Sequence, residues 1–501
     1  MNTNKKKRYY IIGIAGVAMG NLAGLLKQKG YEVAGSDQEM YEPMKSMLAK
    51  EKISVFTPYS AFHVKQWRPG VVVVGNAISR GNPELEFVMN NGHSYRSVSD
   101  ILMEEFIEDR VFHGKHPKKS IVIAGTHGKT TTSALVAWIL ENAGLDPTVF
   151  VGGITSQQVA NVPLSCKLGK GKYVVLEGDE YDTAFFDKNP KILHYRPFFG
   201  LLNNIELDHV DIYRSLDHLR ETFKNFIKLI PKNGVLAVNR EDKNAWNLAQ
   251  ECIKSKSLWK NNSEPKIVSF GINKGDFQAK NISYNLDSSI NYLSFNVFHM
   301  KHRIMNVKTS LSGKHNVSNI LGAIAIARAA GVSCETIRKG IETFAGVKRR
   351  MEIIGEKNGV IIIDDYAHHP TAVSATIMAA KEQFFSRQIG GRVKRIIVIF
   401  EPGSASSRRN VFEEEYIDSL SKADIALIYK PFKAGQIKKS ESFNGKNVSR
   451  EINRRGGRAV FVNKIENLMF HVKTITQPGD ILLIMSCRGF DGLREKIMRI
   501  L

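Results

Sequence analysis

Residues 125 to 132 read GTHGKTTT, and no other segment limits the fold of this chain so strongly. Before it comes SIVIAG, a short apolar run that reads as a buried strand. After it comes KTTTSALVAWILENAG, a helical pattern closed by Gly144. A strand, a turn with two glycines and a helix opening on Lys-Thr is the setting in which a phosphate-binding loop works. The usual spacing, G-x-x-x-x-G-K-[ST], would put the first glycine at position 123, where the chain has Ile123; here it comes two residues later, at Gly125. The physical parts remain. Backbone N–H groups of Gly125, Thr126, His127 and Gly128 are expected to hold phosphate oxygens at the helix N-terminus. Lys129 would reach the terminal phosphates, and Thr130 or Thr131 would place a hydroxyl on Mg2+. A nucleotide site is therefore expected at this turn.

A chain of 501 residues is too long for one compact core and implies two to four domains. Three strand-helix series can be separated. The first opens with RYYIIGIAGVAMGNLAGLLKQKGYEVAGSD and runs to a charged linker around residues 110 to 119. The second begins with the phosphate loop and continues through YVVLEGD, FGLLNNIE and GVLAVN, apolar strands that argue a parallel sheet covered on both faces. Between 275 and 311 the pattern alternates polar and apolar positions, as expected of a small antiparallel sheet, before the helix GKHNVSNILGAIAIARAAG. The third series begins near GVKRRMEII and contains GVIIIDDYAHHP, RIIVIFEPGS, ADIALIY and GDILLIMSCRG. Ligands in such sheets bind at the carboxyl ends of strands, where the unusual residues of all three series fall.

A net charge of +22 raises the question of nucleic acid, but the basic residues are spread out and no aromatic-basic interleaving occurs, so no nucleic-acid partner is expected. No apolar run approaches the roughly 18 residues of a membrane span, so no membrane partner is expected. The start, MNTNKKKRYYIIGIAG, reads as a solvated tail and first strand. Cys166, Cys252, Cys334 and Cys487 are isolated, as for reduced thiols in a cytoplasm.

Several further groups carry chemistry. The turn GIAGVAMG places Gly13, Gly16 and Gly20 before a helix, with Asp37 closing the next strand; a diphosphate on that helix N-terminus fits better than a nicotinamide cofactor, because the spacing is G-x-x-G. LEGDEYDTAFF sets Glu177, Asp179, Glu180 and Asp182 after an apolar strand, where such crowding calls for a hard cation such as Mg2+. NNIELDHVDIY carries Asp208, His209 and Asp211; chemistry alone leaves His209 a site residue of unspecified role. DDYAHHP supplies Asp364, Asp365, Tyr366, His368 and His369, acids for ribose hydroxyls and rings to lie along a nucleotide.

GTHGKTTT, EGDEYD, NNIELDH, GKHNVSN and DDYAHHP, in that order, resemble the Mur ligase family, ATP-dependent amide-bond formers of bacterial cell-wall synthesis. The resemblance implies an α/β fold of three domains: a Rossmann-like UDP-sugar domain over 1–115, a central P-loop ATPase domain over 116–346 with a parallel and a small antiparallel sheet, and a Rossmann-like ligase domain over 347–501. It implies ATP and Mg2+ as cofactors. SDQEMYEPM, GNAISRGNPE, EGDEYDTAFFDK and EPGSASSRRNVFEEEY resemble the branch that joins the salvaged murein tripeptide L-Ala-γ-D-Glu-meso-diaminopimelate to UDP-N-acetylmuramate; the L-alanine-adding branch is the alternative. Residue by residue, Lys129 resembles the lysine on the terminal phosphates, Thr130 the Mg2+-bound hydroxyl, Glu177 the metal-binding glutamate and His209 the histidine that helps hold a second Mg2+. His315, Asn316 and Asn319 would lie near adenine or phosphates, Arg350 near the phosphates and Asp365 on the ribose, while Gly13, Gly16 and Asp37 fall where the UDP part is held. Two departures stand out. Phe223 takes the place of a lysine that is carbamylated in several members, and Gly403 replaces an arginine expected to face the peptide.

Overall fold

The computed structural model describes residues 7–501 apart from 43, 109–116, 160–161, 256–257, 260–262, 288–289 and 386–394, so most of the expected linker at 110–119 lies outside the described residues. Contacts divide the chain into two compact units.

The first unit comprises Met1–Ile205, Asp217–Gln278 and Ile320–Ala345. It opens with a five-stranded parallel sheet in the order Ser54–Phe56, Glu32–Ser36, Arg8–Ile12, Val71–Val74, Tyr95–Arg96. The central strand pairs on both sides, Tyr10 with Ala34 and with Val72, and residues 9–12 are buried, which is why this strand reads as a continuous apolar run. Beneath it lies a charged knot. Glu105 accepts hydrogen bonds from Lys7 (2.7 Å), Tyr9 (2.8 Å), Tyr31 (2.5 Å) and Lys29 (3.0 Å). Burial opposes its charge, but Lys7, Tyr31 and Lys29 hold its carboxyl down to about 2, against 4.5 for a free glutamate. The ion therefore stabilises the fold fully above pH 4.5, and that contribution is lost as pH falls toward 2. Glu105→Gln should lower the melting temperature at pH 7 and flatten the acid-side loss of stability in that window. Equal slopes for both proteins in a calorimetric pH series would contradict this.

A second sheet in the same unit runs Cys166–Lys167, Thr148–Phe150, Tyr173–Glu177, Lys119–Ala124, Pro197–Leu202, Val235–Asn239, Lys266–Phe270. All neighbours are parallel except Cys166–Lys167, which runs antiparallel to Thr148–Phe150. The helix Lys129–Asn142 follows the middle strand and ends at Gly144, whose φ of +68° favours glycine. It is buried on nearly every face because the helix Cys334–Glu342 covers its outer side; a Cβ on Gly340 would stand 3.1 Å from Ile139.

The second unit comprises Glu206–Leu216, Ala279–Asn319 and Gly346–Leu501. Ile290–His299 and His302–Thr309 pair antiparallel, Phe295 opposite Val307, and bury Leu293, Phe295, Val297, Met305 and Val307 on one face, as the alternation implied. A six-stranded sheet is ordered Glu352–Lys357, Val360–Asp365, Ile481–Met485, Ile396–Phe400, Ile425–Tyr429, Ala459–Val462. Alternate residues feed two cores: Ile361, Ile363, Val398 and Leu483 pack on one side, Ile362, Ile397, Ile399 and Leu482 on the other. Its first strand is antiparallel to the second, whereas the remaining neighbours are parallel. The cause is local. Asn358 (φ +48°) and Gly359 (φ +74°) form a two-residue hairpin, with Lys357 paired to Val360.

Candidate active site

The phosphate loop joins the strand Lys119–Ala124 to the helix Lys129–Asn142. Ile123 pairs with Glu177 and Leu201 inside the sheet, so the turn begins after Ala124 and its first glycine falls at Gly125. Gly125 has φ +125°, and a Cβ there would meet the backbone N and O of Asn204 at 3.0 Å, so glycine is required for both reasons. Thr126 N–H donates to the Asn204 carbonyl (3.1 Å) and His127 N–H to Asn204 Oδ1 (2.7 Å). These two N–H groups, expected on phosphate, are spent on shaping the loop. Asn203, which donates from Nδ2 to the His127 carbonyl (3.3 Å), and Asn204, just past the strand Pro197–Leu202, thus shape the loop, a role the sequence reading missed although they open the NNIELDH segment.

Lys129 Nζ lies 2.8 Å from the Gly125 carbonyl and 2.8 Å from Glu180, a carboxylate only 1% exposed. Burial opposes the ammonium, but Glu180, Asp179 and Glu177 outweigh it and raise its pKa, so it stays charged. Thr130 Oγ1 donates to Glu177 Oε1 at 2.6 Å, and Gly152 N–H to Glu177 Oε2 at 2.8 Å. Burial and then Asp179 push the Glu177 carboxyl upward. Thr131 is buried in the first helical turn. The four acids do not form one cluster. Asp179 accepts from Tyr181 OH (2.7 Å), and Asp182 pairs with exposed Lys188 at 2.9 Å.

In the turn after the first strand, Gly13 (φ +87°) and Ile14 donate their N–H groups to the Ser36 carbonyl, and Gly16 precedes the helix Val17–Gln28. Asp37 accepts from Ala15 N–H, Tyr59 OH and Gln38 N–H, each at 2.8 Å. The geometry therefore shows Asp37 bracing this turn. Phe223, on the helix Leu216–Lys228, is fully buried and its side chain offers no polar atom to a site.

In the second unit, Asp208 and His209 meet the DDYAHHP segment. His368 Nε2 is 3.7 Å from Asp208, and His369 Nε2 is 3.2 Å from the Leu207 carbonyl. Burial opposes the Asp208 charge, but His368, His209 and His369 hold its carboxyl well below the usual range. His209 has φ +51°, with its N–H donated to Asp208 Oδ1 (2.7 Å). The adjacent acids of DDYAHHP divide: Asp364 pairs with Arg349 and Arg494, whereas Asp365 accepts from the N–H groups of Met351 and Ala367, both at 2.7 Å. Asp365 thereby fixes the turn that carries Arg350, whose guanidinium lies 5.1 Å over the Tyr366 ring. Burial and the Arg350 charge push His315 down to about 4, so its imidazole is neutral at physiological pH. Asn316 Nδ2 donates to the Ser312 carbonyl (2.7 Å) and Asn319 Nδ2 to Asn316 Oδ1 (3.0 Å), which places these three residues on one helix start. Tyr284 OH accepts from Gly313 N–H (2.8 Å) and so anchors that start, a contact no motif announced.

Gly403 follows the strand Ile396–Phe400, and Arg488 crosses it, donating from Nε to the Gly403 carbonyl at 3.1 Å. Arg408 bonds to the carbonyls of Ser404 and Phe432, and Arg409 to that of Ala405.

Three family models match the chain: the Mur ligase family catalytic domain over residues 8–108, the Mur ligase middle domain over 123–327, and the Mur ligase glutamate ligase domain over 349–488. The UDP-N-acetylmuramate–L-alanyl-gamma-D-glutamyl-meso-2,6-diaminoheptandioate ligase of Escherichia coli is 34% identical over 492 residues, covering 98% of this chain and 97% of that protein. The UDP-N-acetylmuramate–L-alanine ligase of Clostridium acetobutylicum is 33% identical over 477 residues, covering 95% and 94%. A crystal structure of a murein peptide ligase from Psychrobacter arcticus superposes with a TM-score of 0.70 at 30% identity, covering 99% of this chain and 98% of that one.

Proposed function

This chain belongs to the Mur ligase family, and on that premise we propose that it is an ATP-dependent ligase joining UDP-N-acetylmuramate to the murein tripeptide L-Ala-γ-D-Glu-meso-diaminopimelate through an amide bond. The observation that carries the reading is the corner where Lys129 and the Thr130 hydroxyl, on one strand-turn-helix unit, meet buried Glu177 at the end of the neighbouring strand Tyr173–Glu177. The tripeptide as amine is supported by a relative of that printed activity matching almost the whole chain at 34% identity, and by the branch-like segments EGDEYDTAFFDK and EPGSASSRRNVFEEEY. The L-alanine ligase at 33% identity supports the second reading, in which the same phosphate chemistry serves a smaller amine.

The reaction has to bring two anions together, the lactyl carboxylate and the terminal phosphate of ATP. A carboxylate oxygen forms a bond to the γ-phosphorus while the bond to ADP breaks. The peptide α-amine then attacks the carbonyl carbon, and the tetrahedral adduct expels phosphate and loses a proton. Lys129, held charged and aimed by Gly125 and Glu180, offsets charge on the terminal phosphates. Thr130 and Glu177 present hard oxygen donors side by side, a set that fits Mg2+, and they would hold it; the ion would neutralise phosphate charge. We assign His209 to a second Mg2+, His315, Asn316, Asn319, Arg350 and Asp365 to the nucleotide, and Gly13, Gly16 and Asp37 to the UDP part. We divide the chain at 1–115, 116–346 and 347–501, which the matched family models support. Among the described residues no helix is long and apolar enough to cross a membrane, and ATP with a UDP-sugar as substrates supports a cytoplasmic location.

An acyl phosphate predicts that UDP-N-acetylmuramate labelled with 18O in its lactyl carboxylate transfers one labelled oxygen to the phosphate released. Unlabelled phosphate from a reaction that forms the amide product would refute the mechanism.

A further inference from the structure

The strands Ile396–Phe400 and Ile481–Met485 are parallel neighbours, Phe400 opposite Met485, so the segments leaving their carboxyl ends run side by side. In a doubly wound sheet this is the end where ligands bind. Ser486 Oγ donates to Glu401 (2.6 Å) and accepts from Arg488 N–H (2.9 Å), which sets Arg488 beside the Glu401–Gly403 turn. A Cβ at position 403 would stand 2.9 Å from Arg488 Cγ and 2.9 Å from Cys487 Sγ. Glycine at 403 therefore leaves Arg488 its course. The Arg488 guanidinium lies 5.2 Å over the Phe432 ring, and Lys433 Nζ lies 5.4 Å from the same ring. Arg408 Nη1 donates to the Phe432 carbonyl at 3.3 Å.

Three cations thus converge on one aromatic residue. Among the described residues none of them has a carboxylate ion-pair partner, and both guanidiniums bond only to carbonyl oxygens. Burial, and then Arg488 and Arg409, push the Arg408 guanidinium down, and Asp211 offsets them only in part, the mark of like charges gathered together. Guanidinium forks match carboxylates in two-point contacts, and an aromatic face suits a methylene chain.

We propose that Arg488, Arg408 and Lys433, grouped on Phe432 and admitted by Gly403, bind the carboxylates of the diaminopimelate residue at the far end of the peptide substrate. This rests on the tripeptide reading. It makes Arg488 a specificity residue for the amine, with no part in the phosphate chemistry.

The test is steady-state kinetics at saturating ATP and UDP-N-acetylmuramate, with the tripeptide ending in diaminopimelate and with one ending in lysine, which lacks the distal carboxylate. Arg488→Ala should raise KM for the diaminopimelate peptide about 10- to 100-fold, with a smaller rise for the lysine peptide and KM for ATP within about twofold. Gly403→Ala should act in the same direction by displacing Arg488. Unchanged KM for the diaminopimelate peptide in both Arg488→Ala and Arg408→Ala would overturn the proposal, and so would equal rises for the two peptides. A wild-type protein that turns over L-alanine but neither peptide would instead overturn the functional reading, and with it the ligand of this site.

Discussion

Lys129→Met is expected to reduce ADP release in the presence of UDP-N-acetylmuramate and tripeptide by about 10³-fold, the upper range for removing one preorganised charge-stabilising donor. The same substitution strips Glu180, 1% exposed, of the ammonium at 2.8 Å. Taking the ammonium partner away from a buried carboxylate costs up to about 3–5 kcal/mol, so the single variant should also melt early. The double variant Lys129→Met with Glu180→Gln removes both charges. It should recover most of the stability and none of the turnover, which separates a catalytic role from a structural one. Turnover within about tenfold of wild type in either variant would remove Lys129 from the phosphate chemistry.

Glu177→Gln should lower kcat by about 10²-fold and raise the Mg2+ concentration needed for half-maximal activity. Glu177 uses both oxygens, one for the Thr130 hydroxyl and one for Gly152 N–H. Glutamine keeps the volume but supplies one oxygen without charge, and its amide must face one of those two partners. A hard cation then loses an anionic ligand while the fold loses one hydrogen bond. A variant with wild-type Mg2+ dependence would mean that Glu177 only ties Gly152 to the loop, and the metal assignment would fail.

Much of this was legible in the chain because period and glycine placement report directly on burial. The strand-turn-helix around Lys129 followed from an apolar run, two glycines and a helical pattern, and the alternation over 275–311 announced an antiparallel hairpin. Other features depend on contacts that no spacing encodes. Asn204 shapes the phosphate loop from another strand, Tyr284 holds Gly313 from 29 positions away, and Glu105 gathers Lys7, Tyr9, Lys29 and Tyr31 from across the first sheet. Asn358-Gly359 is a different case, since the hairpin signal was present and the strand-helix rhythm around it hid the antiparallel edge. Gly403 read as a loss of charge. In the folded chain its missing side chain makes room for Arg488, so a deletion at one position and an arginine 85 residues later form one feature.

The most direct measurement offers the purified protein UDP-N-acetylmuramate, ATP and Mg2+ with the murein tripeptide in one reaction and L-alanine in another, and follows ADP and product mass. The expected result is UDP-N-acetylmuramoyl-tripeptide and stoichiometric ADP in the first, with little product in the second. Product from L-alanine alone, or ADP release that ignores both amines, would contradict tripeptide ligation.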